Sequence, residues 1–228
     1  MPETSISRRA WLPLAVFGIA LAGAGWRIPD TSVPILSATA EPAVTVSELP
    51  PAAKLSPEQP SLTRLPNGTW AVAWLERGNP ENAAIWMATG DGKNWPDIGK
   101  IASRESTAGA TFMHPQGLGR PILWSEGGWL HLWYEAYPLG RWAGASIIHG
   151  ISTDGGRSWN RTQRLPVNAF GGLGSRLGQA PRELADGGLL LPLGQANEGA
   201  SWIRLAATGR IVDKLEHLPS ASTPKASQ

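Results

Sequence analysis

Cysteine is absent from the 228 residues, which excludes a disulfide scaffold and any Cys-ligated zinc or iron–sulfur centre. Aromatic residues other than tryptophan are scarce, with three Phe and two Tyr beside twelve Trp. Charge is sparse too, at 17% of residues against 42% hydrophobic. That balance excludes a solvated, disordered chain and permits a real core. Neither sign of charge dominates. The first 27 residues hold Arg8, Arg9 and Arg27 against Glu3, so the 20 basic and 18 acidic residues fall to 17 of each over 28–228. The pI near 9.2 therefore belongs to the leader, and no nucleic-acid partner is expected. His114, His131 and His149 show no ligand spacing, so neither a metal nor another cofactor is expected. His131 alternates with Leu130 and Leu132 and reads as structural.

Long apolar runs are confined to one place. Ala10 to Trp26 carries no charge and follows Ser7-Arg8-Arg9, the pattern of an export signal or a short N-terminal membrane anchor. Ser-Arg-Arg-Ala-Trp-Leu is also similar to a twin-arginine signal, and Ala22-Gly23-Ala24 and Ala38-Thr39-Ala40 are candidate cleavage sites. The expected location is outside the cytoplasm, periplasmic or anchored to the inner membrane through residues 1–27. Residues 28–60 carry seven prolines and read as a tether. Residues 219–228, PSASTPKASQ, read as a disordered tail.

What the chain has in abundance is turns, with 27 Gly and 20 Pro. They fall into a repeat. Leu65-Pro66-Asn67-Gly68-Thr69-Trp70, Trp124-Ser125-Glu126-Gly127-Gly128-Trp129 and Leu184-Ala185-Asp186-Gly187-Gly188-Leu189 each join two strands by a tight turn. Trp70 to Trp129 is 59 residues and Trp129 to Leu189 is 60. An all-β unit repeated at this period predicts β-propeller blades. The strands are predicted over 61–65, 69–75, 83–89 and 95–102; over 120–124, 129–135, 146–153 and 159–165; and over 181–184, 189–193, 201–207 and 210–215. About three four-stranded blades thus occupy 61–218, stacked face to face with tryptophan in the wedges. A closed propeller needs at least four blades, so exposed edges would call for a partner or a second copy.

Ser152-Thr153-Asp154-Gly155-Gly156-Arg157-Ser158-Trp159 fits the Asp box, Ser-x-Asp-x-Gly-x-x-Trp, at the turn between the last two strands of the second unit. Ser152 and Asp154 are placed to accept from unpaired N–H groups of the turn, Gly156 to turn left-handed and Trp159 to plug the hairpin. Ala88 to Trp95 is a decayed copy that keeps Gly92 and Trp95. These roles are structural.

On these motifs, and on Pro60 to Gly68, Trp142 to Ser146 and Ala185 to Pro192, the chain resembles the bacterial sialidase (neuraminidase) family with Asp-box repeats over about 58–218. The resemblance implies a six-bladed propeller and hydrolysis of terminal sialic acid from glycans. It implies an arginine cluster on the sugar carboxylate and a Tyr nucleophile assisted by Glu, one of the exceptions to the two-carboxylate pattern of glycosidases. The chain departs from the family at Glu58-Gln59-Pro60, Arg120, Leu177 to Pro181 and Gly194-Gln195-Ala196. Trp26-Arg27-Ile28-Pro29 resembles the family's Arg-Ile-Pro but abuts the leader.

Topology narrows the candidates. In a four-stranded meander, the turns after the first and third strands share one rim, which holds the Asp box. The long connections 103–118, 136–145 and 166–180 share the other rim, where binding residues concentrate. Arg104, Arg120 and Arg176 are the candidate clamp for an anionic substrate. Tyr137 and Glu135 are the candidate Tyr–carboxylate pair, two apart and so on one side of an extended strand. The alternative is a non-catalytic propeller module that binds glycan or protein.

Overall fold

The computed structural model describes residues 57–76, 78, 83–167, 175–194, 201–206 and 208–215. The leader, most of the tether and the tail 219–228 lie outside them. Among the described residues no helix is long and apolar enough to cross a membrane.

Three antiparallel sheets of four strands follow one another along the chain. The first holds β1 (Pro57–Arg64), β2 (Trp70–Glu76), β3 (Ala84–Gly90) and β4 (Asp97–Ser103). The second holds β5 (Gly117–Glu126), β6 (Trp129–Tyr137), β7 (Ser146–Ser152) and β8 (Asn160–Arg164). The third holds β9 (Arg182–Glu183), β10 (Leu189–Leu193), β11 (Ser201–Leu205) and β12 (Ile211–Leu215). Each is a simple meander, with sequence neighbours hydrogen-bonded in order. The chain is all-β, as the hairpin repeat predicts.

The second sheet is covered on both faces, and β6 shows how its sequence arranges this. Leu130, Leu132, Tyr134 and Ala136 join Ala71, Ala73, Leu75, Ile85 and Met87 in the core shared with the first sheet. Trp133, one position out of step, joins Ile147, Leu189, Leu191 and Ile203 in the core shared with the third. The two-residue period of the strand sends alternate side chains to opposite cores. Each fully buried Leu or Ile contributes roughly 1.5–3 kcal/mol. The inner strands β1 and β5 are also tied by side chains: Leu123 N–H donates to Ser61 Oγ at 2.9 Å, and Ser125 N–H to Thr63 Oγ1 at 3.2 Å.

Several expectations shift. Tryptophan fills the wedges at Trp133 and Trp159. However, Trp74, Trp86 and Trp95 gather with Val72 and Ala88 on the other face of the first sheet. The buried indole N–H groups of Trp74, Trp95, Trp133 and Trp159 have no hydrogen-bond partner. β1 starts at Pro57, inside the stretch read as tether, because a bulge at Glu58–Ser61, with Gln59 at φ 53°, bends it onto β2. β5 starts at Gly117, and a bulge between Leu118 and Pro121 accommodates a proline that cannot donate to the ladder.

The connection 103–118 contains a helix, α1 (Arg104–Thr111). Its N terminus is a capping box built from two serines. Ser106 N–H donates to Ser103 Oγ at 3.2 Å, and Ser103 N–H to Ser106 Oγ at 2.8 Å. Serine takes the place that Glu or Gln usually fills. The buried Thr107 hydroxyl meets Tyr134 Oη at 2.9 Å, which fixes the helix to the second sheet.

Candidate functional site

The turn from Ser152 to Trp159 is closed by its own side chains. Gly156 N–H donates to Ser152 Oγ at 2.7 Å, Ser158 N–H to Asp154 Oδ1 at 2.9 Å, and Ser158 Oγ–H to Asp154 Oδ2 at 2.6 Å. Gly156 sits at φ 94°, and a Cβ there would stand 2.1 Å from Met87 Cε of the first sheet. The bonds from Ser158, its side chain first, hold the Asp154 carboxyl far below its ordinary range. The decayed copy keeps its carboxylate one position late. Asp91 Oδ1 accepts from Lys93 N–H at 2.8 Å and Asn94 N–H at 2.6 Å, a role the pattern assigned to position 90. A cleft of about 750 Å³ opens between these turns, lined by Asn67, Thr89, Asp97, Leu130, Asp154 and Arg157 among others. Asp97, Lys100, Asp154 and Arg157 are among its charged lining residues, and Asp154 already accepts three hydrogen bonds.

The opposite rim is about 26 Å away along β6, at 3.3 Å per residue. There Tyr137 and Glu135 meet. Tyr137 Oη–H donates to Glu135 Oε2 in a short hydrogen bond. Being two apart on β6 puts both side chains on one side; contact follows because Gly119 of the neighbouring β5 leaves the space. A Cβ at Gly119 would lie 2.6 Å from both Glu135 Oε2 and Tyr137 Oη. Glu135 Oε1 accepts from Leu177 N–H at 2.8 Å. Both side chains are buried, Tyr137 at 1% exposure and Glu135 at 5%.

Arg141 packs against this pair, and Arg176 and Arg120 bond to backbone carbonyls of the neighbouring segments. The Arg141 guanidinium carbon stands 5.6 Å from the centre of the Tyr137 ring. Arg176 Nη2–H donates to Arg141 O at 2.8 Å, and Arg120 Nη1–H donates to Gly178 O. Among the described residues no carboxylate forms an ion pair with any of the three; that contact is made there by Arg204 and Asp186. Burial first, then the Glu135 carboxylate and the bond to it, push the Tyr137 phenol up to about 12, while Arg141 and Arg176 pull the other way. The phenol is therefore neutral at physiological pH and donates its hydrogen bond to the Glu135 side chain.

Arg104 does not join. It lies on α1, and its Nε–H donates to Pro115 O at 2.8 Å, closing its own loop. Arg141 takes the third place in the cluster instead. Two further contributors were not legible as site residues: the Leu177 N–H, because a backbone donor leaves no mark in sequence, and Gly119. For Gly119 the signal existed, since an isolated glycine in a strand marks a close approach. Segment 175–178 is itself stitched across two sheets. Ala145 N–H donates to Ser175 O at 2.8 Å, Gly178 N–H to Pro192 O at 3.0 Å and Gly194 N–H to Arg176 O at 2.8 Å.

His131 and His149 lie elsewhere, fully buried on β6 and β7. His131 Nδ1 meets His149 Nε2 at 3.0 Å, with the rings nearly parallel to Trp133 at 5.4 and 5.1 Å between centroids. Among the described residues no three metal-ligating side chains come together.

A BNR repeat-like domain profile matches residues 68–217, and the chain belongs to that family. No curated protein matches it. Among solved structures it is similar to a family 117 glycoside hydrolase from Zobellia galactanivorans, at 15% identity and TM-score 0.55, over 74% of this chain and 57% of that one. It is similar to an α-L-arabinanase from Penicillium chrysogenum, solved with arabinobiose, at 18% identity and TM-score 0.51, over 74% and 52%. It is also similar to a GH43_1 enzyme from Xanthomonas citri, at 12% identity and TM-score 0.51, over 71% and 55%. These likenesses show the β-propeller fold that the chain shares with glycoside hydrolases. The chain spans a little over half the length of each.

Proposed function

We propose that this member of the BNR repeat-like domain family is a glycoside hydrolase of the exo-α-sialidase type, hydrolysing terminal sialic acid from glycans. The observation that carries the reading is the Tyr137–Glu135 hydrogen bond, on a rim where Arg120, Arg141 and Arg176 have no ion-pair partner among the described residues. Glu135 takes the proton from Tyr137 Oη, and the phenolate forms the bond to the anomeric carbon as the glycosidic C–O bond breaks and the leaving oxygen takes up a proton. Water, giving a proton back to the phenolate, then displaces the tyrosine to release the free sugar. Arg120, Arg141 and Arg176 clamp the sugar carboxylate, a task that suits the planar guanidinium. The apolar leader favours action outside the cytoplasm, in the periplasm or at the inner membrane. The repeat period and the share of the relatives' length that the chain spans favour three blades of a six-bladed ring, its edges covered by a second copy or a partner.

A second reading, a non-catalytic module that binds glycan, draws on the burial of the pair. Tyr137 is covered and both Glu135 oxygens are engaged, so attack requires segment 175–178 to lift. Release of a fluorogenic phenol from an aryl sialoside separates the two readings, because such a leaving group needs no proton donor. Turnover that disappears in Tyr137→Phe establishes the hydrolase. Sialoside binding without turnover by the folded chain establishes the module, and full turnover by Tyr137→Phe refutes Tyr137 as nucleophile.

A further inference from the structure

Segment 175–178 lies against the Tyr137–Glu135 pair without being a strand of any of the three sheets. It meets its neighbours through isolated bridges, Ser175 with Ala145 and Leu177 with Leu193. A ladder of bonds would tie its opening to the unfolding of a sheet, whereas single bridges let a short segment open by itself. Its anchor is the Leu177 side chain, 4% exposed, in the core with Ile147, Leu191 and Leu193.

The other ties draw on the charged side chains of the site. Glu135 Oε1 accepts from Leu177 N–H at 2.8 Å, Arg120 donates to Gly178 O, and Arg176 donates to Arg141 O at 2.8 Å. Each sets a charged group against a neutral backbone partner. A ligand carboxylate offers a guanidinium two parallel bonds to an ionised partner in place of one to a carbonyl. Arg141 is exposed, and Arg120 and Arg176 are half-buried, while the pair is covered. An anion arriving at this rim therefore meets the arginines first.

We propose that segment 175–178 is an autoinhibitory strap over the Tyr137–Glu135 pair, released when the carboxylate of an acidic sugar takes Arg120 from Gly178 O and Arg176 from Arg141 O. The strap rests on the sialoside reading of this site and adds its regulation. An anion that gains these arginines only when they let go of the backbone binds the open state better and so shifts the chain towards it. A neutral sugar has no such preference.

Hydrogen exchange resolved at single amides of the full chain tests the strap, first without a ligand. The amides of Leu177 and Gly178 should exchange about a hundredfold faster than those of Leu189 and Leu191 in β10, through an opening that leaves the sheets folded. Exchange only in step with β10 overturns the strap. Leu177→Ala removes the anchor and should speed the segment about tenfold relative to β10; no relative change overturns the strap as well. Saturating free sialic acid should speed the segment of the unaltered chain about tenfold, and the methyl ester of the same sugar should leave it unchanged. A segment that ignores free sialic acid, or answers the ester equally, overturns release by the carboxylate. If the chain still turns over an aryl sialoside in that case, the strap alone falls. If it neither binds nor turns over the sialoside, the reading of the site falls with it.

Discussion

Acid should loosen the second and third sheets from each other, and the buried histidine pair sets the range. Two neutral imidazoles carry two N–H protons. One lies in the bond between His131 Nδ1 and His149 Nε2; the other must sit on an outer nitrogen, His131 Nε2 or His149 Nδ1, and both are buried without a partner. Adding a proton leaves two such donors unpaired and a charge in an apolar wedge. Burial accordingly pushes His131 down to about 4 and, with the charge of its neighbour, His149 to about 3. Above the unfolded value near 6.5, neither state binds the proton and the pair's stability is fully present. As pH falls below that, the unfolded chain takes protons that the folded one refuses, and stability is lost until the folded values are reached. One pKa unit is worth 1.36 kcal/mol, so His131 alone accounts for about 3 kcal/mol. The pair together should cost about 3 kcal/mol per pH unit between roughly pH 6 and 4.5. Against a net stability of about 5–15 kcal/mol, two pH units are a large share. Urea unfolding followed by tryptophan fluorescence reads this directly, with the midpoint falling by about 1.5 M per pH unit at an m of ~2 kcal/mol/M. The carboxyls held low by their bonds, Asp91, Asp154 and Asp186, lose their share only below about pH 4. A midpoint that stays level from pH 7.5 to 5 refutes the reasoning. So does an undiminished slope in the double variant His131→Leu, His149→Leu.

Two further outcomes can be checked simply. Both tyrosines of the chain, Tyr134 and Tyr137, are raised to about 12, mainly by burial. Absorbance at the phenolate band should therefore show no ionisation of the native chain between about pH 9.5 and 11, and stability should begin to fall from about pH 10 as the unfolded chain ionises first. Gly119→Ala should drive a methyl group into Glu135 and Tyr137, costing about 1–3 kcal/mol. Denaturant unfolding would show the loss, and an earlier phenol ionisation in alkaline titration would show that the pair had parted.

Legibility in the sequence followed the range of the forces involved. Hairpins such as Asn67-Gly68 and Asp186-Gly187 are written in a few adjacent residues, because turn chemistry is local. They showed the repeat, the strands and the Asp box. The rim was deducible from the same meander. What escaped depended on contacts between distant segments. α1 has little apolar periodicity in Arg-Glu-Ser-Thr-Ala-Gly-Ala-Thr and is held by Thr107 on Tyr134, 27 positions away. Glu135 and Tyr137 were placed on one side of a strand, but Gly119 and the Leu177 N–H decide that they touch and how they are held. Asp91 was displaced from its expected place by a single residue, which pattern matching reads as loss although the turn reads it as function.

The side-chain ties between β1 and β5 carry a consequence for how blades find their alignment. Ser61 and Thr63 are two apart, as are the backbone donors Leu123 and Ser125 that they receive. Sliding one strand past the other by a single residue would set Leu62, 56% exposed where it stands, against those donors and leave both unmatched. The two inner strands therefore mesh in steps of two residues, like a rack with every second tooth cut. Alternating hydroxyls on an inner strand could key neighbouring blades together before the cores behind them have closed.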